Sequence, residues 1–440
     1  MAVRRMFGTD GVRGVAGVDL TEDLARALGG AAVRATGPGT RILIGRDTRE
    51  SGPALEAALV EGVRAAGGVA LCAGVLPTPG VAVLSRLAGV DLGCVISASH
   101  NPYTDNGIKF LGGDGRKLAD DREAAIELAL DRSDDGGAGG RVELVDGAAH
   151  RYAGWLAEHY GTGLHGSPPL VIDCANGAAG ETARDLVARL GLDAAVVADA
   201  PDGRNINDGV GSTHLDHVAA EVVARGAGGG VSLDGDADRC LCVDAAGRPV
   251  NGDAIVATIA LDRAARDVLD GGRVVVTSMT NLGFHRLMRE RGIAVEVTDV
   301  GDRYVLERML EVGATLGGEQ SGHVVDLVSH TTGDGLATAL MLLAALERLQ
   351  MTFADAAALI QPFPQRLVAV AADRRRLEGS GRIWQEVAAA EANLGEDGRV
   401  VLRASGTEPV VRVMVEAADP RVCDEVCERL AGVVREEIGV

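Results

Sequence analysis

The stretch Arg41-Ile-Leu-Ile-Gly45, followed by an amphipathic segment near Ala54–Ala66 and then Val69-Ala-Leu-Cys72, decides the fold. A short apolar run closed by Gly reads as a buried strand, and the helical apolar spacing after it reads as a helix packed on that strand. The same grammar returns in Leu170-Val-Ile-Asp173, Thr182–Leu190 and Ala195-Val-Val197, and again in Arg273-Val-Val-Val-Thr277, Phe284–Arg291 and Ile293-Ala-Val-Glu-Val297. Strands alternating with helices specify α/β layers with largely parallel strands. Copies set further apart than the roughly 20–50 residues of a solenoid period are related domains.

Composition places the boundaries. Ser133–Gly140 is a polar, Gly-rich loop, Gly161–Pro169 reads as a linker, a break falls near Pro249–Asp253, and Gln361-Pro-Phe-Pro-Gln365 stops the helix before it. The expected organisation is three related mixed α/β domains, 1–160, 161–250 and 251–364, with a smaller C-terminal α+β domain, 365–440. The last reads as strand, helix, two strands around a Gly-Thr-Glu-Pro turn, and a final helix from about Arg421 to Ile438.

With 440 residues, 47% of them hydrophobic, each domain can bury its own core. Acidic residues number 63 against 43 basic, a net charge of −20, which argues against duplex DNA and anionic membranes as partners. Aromatics at 2% leave few stacking platforms for single strands. Lys109 and Lys117 stand alone among the basic residues, the rest being arginine; neither follows Gly, so no Walker A loop is present. The longest uncharged run, Ala65–Ser85, holds Pro77 and Pro79 and reads as a helix end, a strand and a turn, not a membrane span. The first ten residues lack an apolar signal region, and seven scattered cysteines match no four-ligand zinc pattern; buried free thiols in a reducing cytoplasm are expected.

Four segments carry chemistry. Val95-Ile-Ser-Ala-Ser-His-Asn-Pro102 runs from a buried strand into a polar loop that offers Ser99 as a nucleophile; on an extended chain His100 points away from it, and the G-x-S-x-G elbow is absent. In Ser232-Leu-Asp-Gly-Asp-Ala-Asp-Arg239, Asp234, Asp236 and Asp238 alternate, aiming three carboxylates to one side, a donor set for Mg²⁺ or Ca²⁺; the EF-hand pattern fails at Arg239 and Ala245, and room for a phosphoryl oxygen favours Mg²⁺. Gly317-Gly-Glu-Gln-Ser-Gly-His323 offers Glu319, Ser321 and His323 to sugar hydroxyls. Arg403-Ala-Ser-Gly-Thr-Glu-Pro409, with Arg412, combines guanidinium forks with the hydroxyls and amides of Ser405, Gly406 and Thr407, an anion nest for phosphate. Together these describe phosphoryl transfer in a cleft between domains.

In that order the four segments resemble the signature loops of the α-D-phosphohexomutase family across essentially the whole chain. Phe7-Gly-Thr-Asp-Gly-Val-Arg-Gly14, Asn106-Gly-Ile-Lys-Phe110 and Val300-Gly-Asp-Arg-Tyr-Val305 are similar to its bacterial amino-sugar branch. The resemblance implies an active site in the central cleft and interconversion of glucosamine 6-phosphate and glucosamine 1-phosphate, supplying cell-wall precursors. It implies a phosphoserine at Ser99, one Mg²⁺ per chain held by Asp234, Asp236, Asp238 and Ser99, and a hexosamine 1,6-bisphosphate as intermediate and activator. Arg13 and Arg239 match positions that steady the transferring group, Lys109 the general base, with His100 and His323 as alternatives, and Asp302 and Arg303 join the sugar site. As a base, Lys109 needs a pKa lowered toward about 7–8. A phosphoglucomutase/phosphomannomutase, an inactive phosphosugar-binding regulator and a serine phosphatase are the rival readings; a monomer or homodimer is expected, with no nucleic acid or membrane partner. Ala237 stands where many members have Gly, which matters only if that backbone needs positive φ.

Overall fold

The computed structural model describes residues 6–8, 10–130, 139–164, 166–405 and 409–440. The first sheet contains β1 (Val12–Val15), β2 (Arg41–Arg46), β3 (Val69–Val75), β4 (Leu92–Ile96), β5 (Asp105–Gly112) and β6 (Arg141–Leu144), in the order β1-β5-β4-β2-β3-β6. β2 pairs in parallel with both β3 and β4, while β4–β5 and β5–β1 are antiparallel. Alternation along β2 serves two layers: Ile42 and Ile44 join a core with Leu28 and Leu59, and Leu43 joins the core containing Val81 and Leu84. The helices Glu22–Thr36 and Gly52–Ala65 pack closely because both carry Gly at the contact; a Cβ at Gly62 would lie 1.9 Å from the Arg26 carbonyl oxygen.

The second and third sheets repeat this plan with fewer strands. β7 (Leu170–Asp173), β8 (Ala194–Val197), β9 (Gly229–Leu233), β10 (Cys240–Asp244) and β11 (Pro249–Val250) run in the order β11-β10-β9-β7-β8. β12 (Arg273–Thr277), β13 (Ala294–Thr298), β14 (Leu316–Gly318) and β15 (Val324–Asp326) run β13-β12-β14-β15. In each of the three sheets a strand paired in parallel on one side, β4, β9 or β14, turns back into an antiparallel partner, β5, β10 or β15. Those three reversals are the Ser99 loop, the aspartate loop and the Glu319–His323 loop. Sequence repetition therefore delivers three of the motif-bearing loops from equivalent places.

The C-terminal unit is a three-stranded antiparallel sheet of β16 (Gln365–Ala371), β17 (Gly398–Ala404) and β18 (Val410–Ala417), with β18 central. Helices Gly381–Leu394 and Pro420–Ile438 cover it, and Val411, Val413, Val415, Cys427 and Val434 form a core of its own. Thus the expected α/β architecture with a smaller α+β domain is the one observed.

One segment departs from expectation. Pro77 and Pro79 do not mark a turn; they open the helix Thr78–Ala88, because Pro is tolerated in a first turn whose N–H groups have no intrahelical acceptor. No helix among the described residues is long and apolar enough to cross a membrane. The cysteines are free, and all but the half-buried Cys72 are buried.

Candidate active site

The Ser99 loop is held from beneath by a residue that no motif flagged. Arg49, just beyond β2, is fully buried; its Nε donates to Asp47 Oδ2 at 2.8 Å and its terminal nitrogens donate to the carbonyls of Ser99 (2.9 Å), Asn101 (2.8 Å), Asp105 (3.0 Å) and Pro102. Ser97 Oγ donates to Asp47 Oδ2 at 2.5 Å and accepts the Ser99 N–H at 3.0 Å. From the second sheet's unit, Asn207 Nδ2 donates to the Ser99 and Asn101 carbonyls at 2.9 and 3.2 Å. The polar cluster Arg46-Asp-Thr-Arg49 at the carboxyl end of a parallel strand was the signal for this support, since that edge of an α/β sheet is where sites form.

Held so, Ser99 adopts a left-handed backbone with φ of 53°. The chain is not extended there, and the expectation that His100 points away is corrected: His100 Nδ1 lies 3.3 Å from Ser99 Oγ. On the other side Ser99 Oγ donates to Asp234 Oδ2 at 2.6 Å. Ala237, fully buried with φ of 57°, answers the question raised by its replacement of Gly: the backbone does take the left-handed turn, which folds the aspartate loop back on itself.

Carboxylate oxygens of Asp234, Asp236 and Asp238 lie within 4.8 Å of one another, all three residues buried. Asp236 Oδ2 accepts from Thr78 Oγ1 at 2.6 Å, tying the aspartate loop to the first unit, whereas Asp236 Oδ1 and Asp238 Oδ1 are buried without a hydrogen-bond partner. Burial and the charges of Asp236 and Asp238 push the Asp234 carboxyl well above its ordinary range. Asp238 goes the other way: burial opposes ionisation, but His323, Lys109 and Arg239 together hold it lower than usual. Three buried carboxylates, two of them with an unpartnered oxygen, form a hard, all-oxygen donor set, which fits a divalent cation.

Around this centre lies a cavity of about 620 Å³ lined by Asp10, Arg13, Ser99, His100, Asp238, Arg239, Asp302, Glu319, Gln320, Ser321, His323 and Arg412, among others. Arg13 pairs with Asp10 at 3.3 Å, and Arg239 Nε stands 3.8 Å from Asp238 Oδ1. His323 Nδ1 is 3.7 Å from Asp238 Oδ1; burial alone would lower its pKa, yet Asp238, Asp302 and Glu319 bring it up to about 9. His100 is shifted down, first by burial and then by Arg239 and Arg13. Lys109 is buried on β5, one strand away from the Ser99 strand. Burial pulls its pKa down, but Asp236, Asp10, Asp238 and Asp302 outweigh burial and leave it raised, opposite to the shift a base requires.

Arg403 and Arg412 face each other across β17 and β18, an unfavourable like-charge pair that an anion between them would relieve. Burial and Arg412 depress the Arg403 pKa. Ser405 is buried, its N–H donating to the Val410 carbonyl at 2.9 Å. Gly406 and Thr407 lie outside the described residues. Arg303 is the sequence-derived site residue placed elsewhere: its guanidinium is taken by Asp120 and, at 2.8 Å, by Glu307, and it lines a separate small cavity. The helix starting at Asp302 explains this, because successive residues point about 100° apart and Asp302 alone faces the cleft.

Residues 4–136, 146–247, 251–363 and 365–433 match, in turn, phosphoglucomutase/phosphomannomutase alpha/beta/alpha domains I, II and III and the C-terminal domain of that family. The chain belongs to the phosphoglucomutase/phosphomannomutase family. It is 47% identical to a phosphoglucosamine mutase of Thermobifida fusca, over 99% of both chains, and 49% identical to one of Rubrobacter xylanophilus, over 98% of both. A phosphoglucomutase/phosphomannomutase family protein of Burkholderia thailandensis superposes with a TM-score of 0.85 at 26% identity, covering 100% of this chain and 99% of that one. Paramecium parafusin shares the fold at 15% identity, with a TM-score of 0.77 and 99% and 95% of the two chains covered. As a member of this family the chain is an enzyme, a mutase, and its cleft brings together residues from all four units.

Proposed function

We propose that the enzyme interconverts glucosamine 6-phosphate and glucosamine 1-phosphate by way of a phosphoserine at Ser99 and a 1,6-bisphosphate. The observation that carries this reading is the 2.6 Å contact between Ser99 Oγ and Asp234 in a buried three-aspartate cluster on the wall of the cleft. The relatives named phosphoglucosamine mutase, at nearly half identity over full length, favour the amino sugar among hexoses.

Mg²⁺ is the ion of this reading, held by Asp234, Asp236, Asp238 and an oxygen of the phosphorylated Ser99; bound there it supplies charge neutralisation, both to the transferring phosphoryl group and to the aspartates that keep Lys109 charged. The remaining work belongs to the chain. Phosphoryl transfer demands positioning and electrostatic stabilisation. Arg49 and Asn207 fix the Ser99 backbone, while Arg13 and Arg239 line the cleft where transferring oxygens gather charge. Arg403 and Arg412, with Ser405, grip the phosphate that does not react. Glu319, Ser321 and Asp302 face the sugar.

In the forward step the bond from Ser99 Oγ to phosphorus breaks as the sugar hydroxyl forms its own, and the hydroxyl proton passes to Lys109. A cation at the cluster would offset Asp236 and Asp238, two of the four carboxylates that raise the Lys109 pKa, and so move it toward the neutral amine that accepts a proton. His100, 3.3 Å from Ser99 Oγ, returns a proton to the serine oxygen. Turning the bisphosphate and reversing the step places its other phosphate on Ser99, so no phosphate is lost to water. Buried free cysteines are in keeping with work in a reducing cytoplasm.

The test is a coupled assay of the purified, phosphorylated enzyme with glucosamine, glucose and mannose 6-phosphates. Faster turnover of the amino sugar supports the proposal. Equal or faster turnover of glucose 6-phosphate defeats it, and net release of inorganic phosphate indicates a phosphatase.

A further inference from the structure

The phosphate-gripping unit is joined to the third α/β unit through buried polar residues outside every motif discussed above. Glu416, on β18, is fully buried; its Oε2 accepts Arg399 Nε at 2.7 Å and the Leu282 N–H at 3.0 Å, and its Oε1 accepts Asn281 Nδ2 at 3.1 Å. Arg399 also donates to the Thr280 carbonyl. Asn281 caps the helix Leu282–Glu290 through the Gly283 N–H at 2.9 Å, and it grips the connecting peptide at Phe363, accepting its N–H at 2.9 Å and donating to its carbonyl at 3.1 Å. The Asn281 N–H then donates to Asp253 Oδ2 at 2.9 Å, and the same oxygen accepts Gln320 Nε2, from the sugar loop, at 3.4 Å. The Gly252 N–H binds the Gln320 carbonyl at 3.1 Å, and a Cβ at Gly252 would sit 2.1 Å from the Glu319 carbonyl oxygen, so this contact is close along the backbone as well.

One end of this chain of contacts lines the cleft, and the other lies on the strand that carries Arg412 into it. Gln320 lines it directly. Glu416 lies four residues after Arg412 on β18 and therefore on the same face of that strand, so a shift at Glu416 is carried along a rigid element to the phosphate grip. We propose that Asp253, Asn281 and Glu416 are positioning residues that seat the phosphate-gripping unit against the sugar loop, so that the affinity contributed by one depends on the other. Burial pushes the Asp253 carboxyl up to about 6 and the charge of Glu416 adds to it, while the N–H groups of Asn281 and Gln320 oppose; the two acids already sense each other. For a mutase this matters because one cleft must hold a phosphate at one end and a sugar at the other, in both orientations of the intermediate.

The inference rests on the mutase reading above and is tested by a double-mutant cycle in the full-length enzyme. KM and kcat for glucosamine 6-phosphate are measured for the parent, Gln320→Ala, Glu416→Gln and the double variant. The expected result is that Glu416→Gln raises KM more than it lowers kcat, and that this rise shrinks by about threefold or more once Gln320 is already truncated. KM effects that multiply independently, within less than that factor, overturn the proposal, since residues that only hold the fold have no reason to share an effect on substrate affinity. If Glu416→Gln does not fold, Asn281→Ala replaces it in the same cycle with the same criterion. If the parent fails to turn over glucosamine phosphates, the function reading fails by itself, and the cycle is run with whichever hexose phosphate it does accept.

Discussion

Removing the Arg49 guanidinium probes how Ser99 is held. Arg49→Met deletes a charge with no solvent exposure, leaves Asp47 buried without its partner, and leaves four carbonyls, at Ser99, Asn101, Pro102 and Asp105, short of a donor. Breaking a buried ion pair from one side costs about 3–5 kcal/mol. Burial already raises the Asp47 pKa while Arg49 and Ser97 oppose it, so losing Arg49 drives it higher still and a bound proton caps the penalty. The sign follows from linkage: a carboxyl with a folded-state pKa above its unfolded value loses stability as pH rises between the two, so the variant's deficit grows from acid to alkaline conditions. Catalysis suffers separately. With the Ser99 carbonyl left to Asn207 alone, a displacement of about 1 Å lowers kcat roughly 100-fold.

A second substitution separates these effects. Asp47→Asn keeps an acceptor for Ser97 Oγ and removes the stranded charge, so Asp47→Asn/Arg49→Met recovers more than half of the lost stability while kcat stays low. Thermal melts at two pH values, deuterium exchange over residues 97–105 and the coupled mutase assay give the three readouts. If the double variant is no more stable than Arg49→Met, or if either variant turns over at the parent rate, the account of the loop is wrong.

Other expectations follow from the same geometry. Carboxylate oxygens within 4.8 Å of each other repel by at least about 3 kcal/mol per pair at an effective dielectric near 20. Asp236→Asn reduces three such pairs to one and replaces a charged ligand with a neutral amide, so calorimetric titration with Mg²⁺ shows affinity weakened about 100-fold or more; binding within a few-fold of the parent speaks against the cluster. His285 is pushed down to about 4, by burial and then by Arg399 and Arg289, so the folded state binds its proton less well than the unfolded chain. This group's contribution is present above about pH 6.5 and is lost as pH falls toward 4, roughly 3 kcal/mol in all. His285→Gln flattens that acid limb in melts between pH 4 and 7; an unchanged slope counts against the assignment.

The repeated strand–helix–strand grammar was legible because each copy is a local pattern, and the four loops were legible because each places several chemistry-bearing residues within eight positions. What sequence could not supply was conformation and distant partnership. The left-handed turn at Ser99 reverses the orientation expected of His100, and no periodicity announces a single positive φ at a non-Gly residue. Lys109 was readable as a candidate base, but its four acidic neighbours come from positions 10, 236, 238 and 302, and only folding sums their charge. Glu416 acts through long-range contacts, and so does Arg49 apart from its pair with Asp47. Arg303 shows the converse: adjacent in sequence to a cleft residue, it is carried to another surface by the helix that both open.

Covalent chemistry at Ser99 is the claim on which the rest depends. Incubating the enzyme with glucosamine 1,6-bisphosphate and Mg²⁺, then mapping its peptides by mass spectrometry, reads it directly. The account predicts phosphate on the peptide containing Ser99, lost when excess glucosamine 6-phosphate is added and absent in Ser99→Ala. An enzyme that turns substrate over while that peptide stays unmodified, or a Ser99→Ala variant that retains turnover, contradicts it.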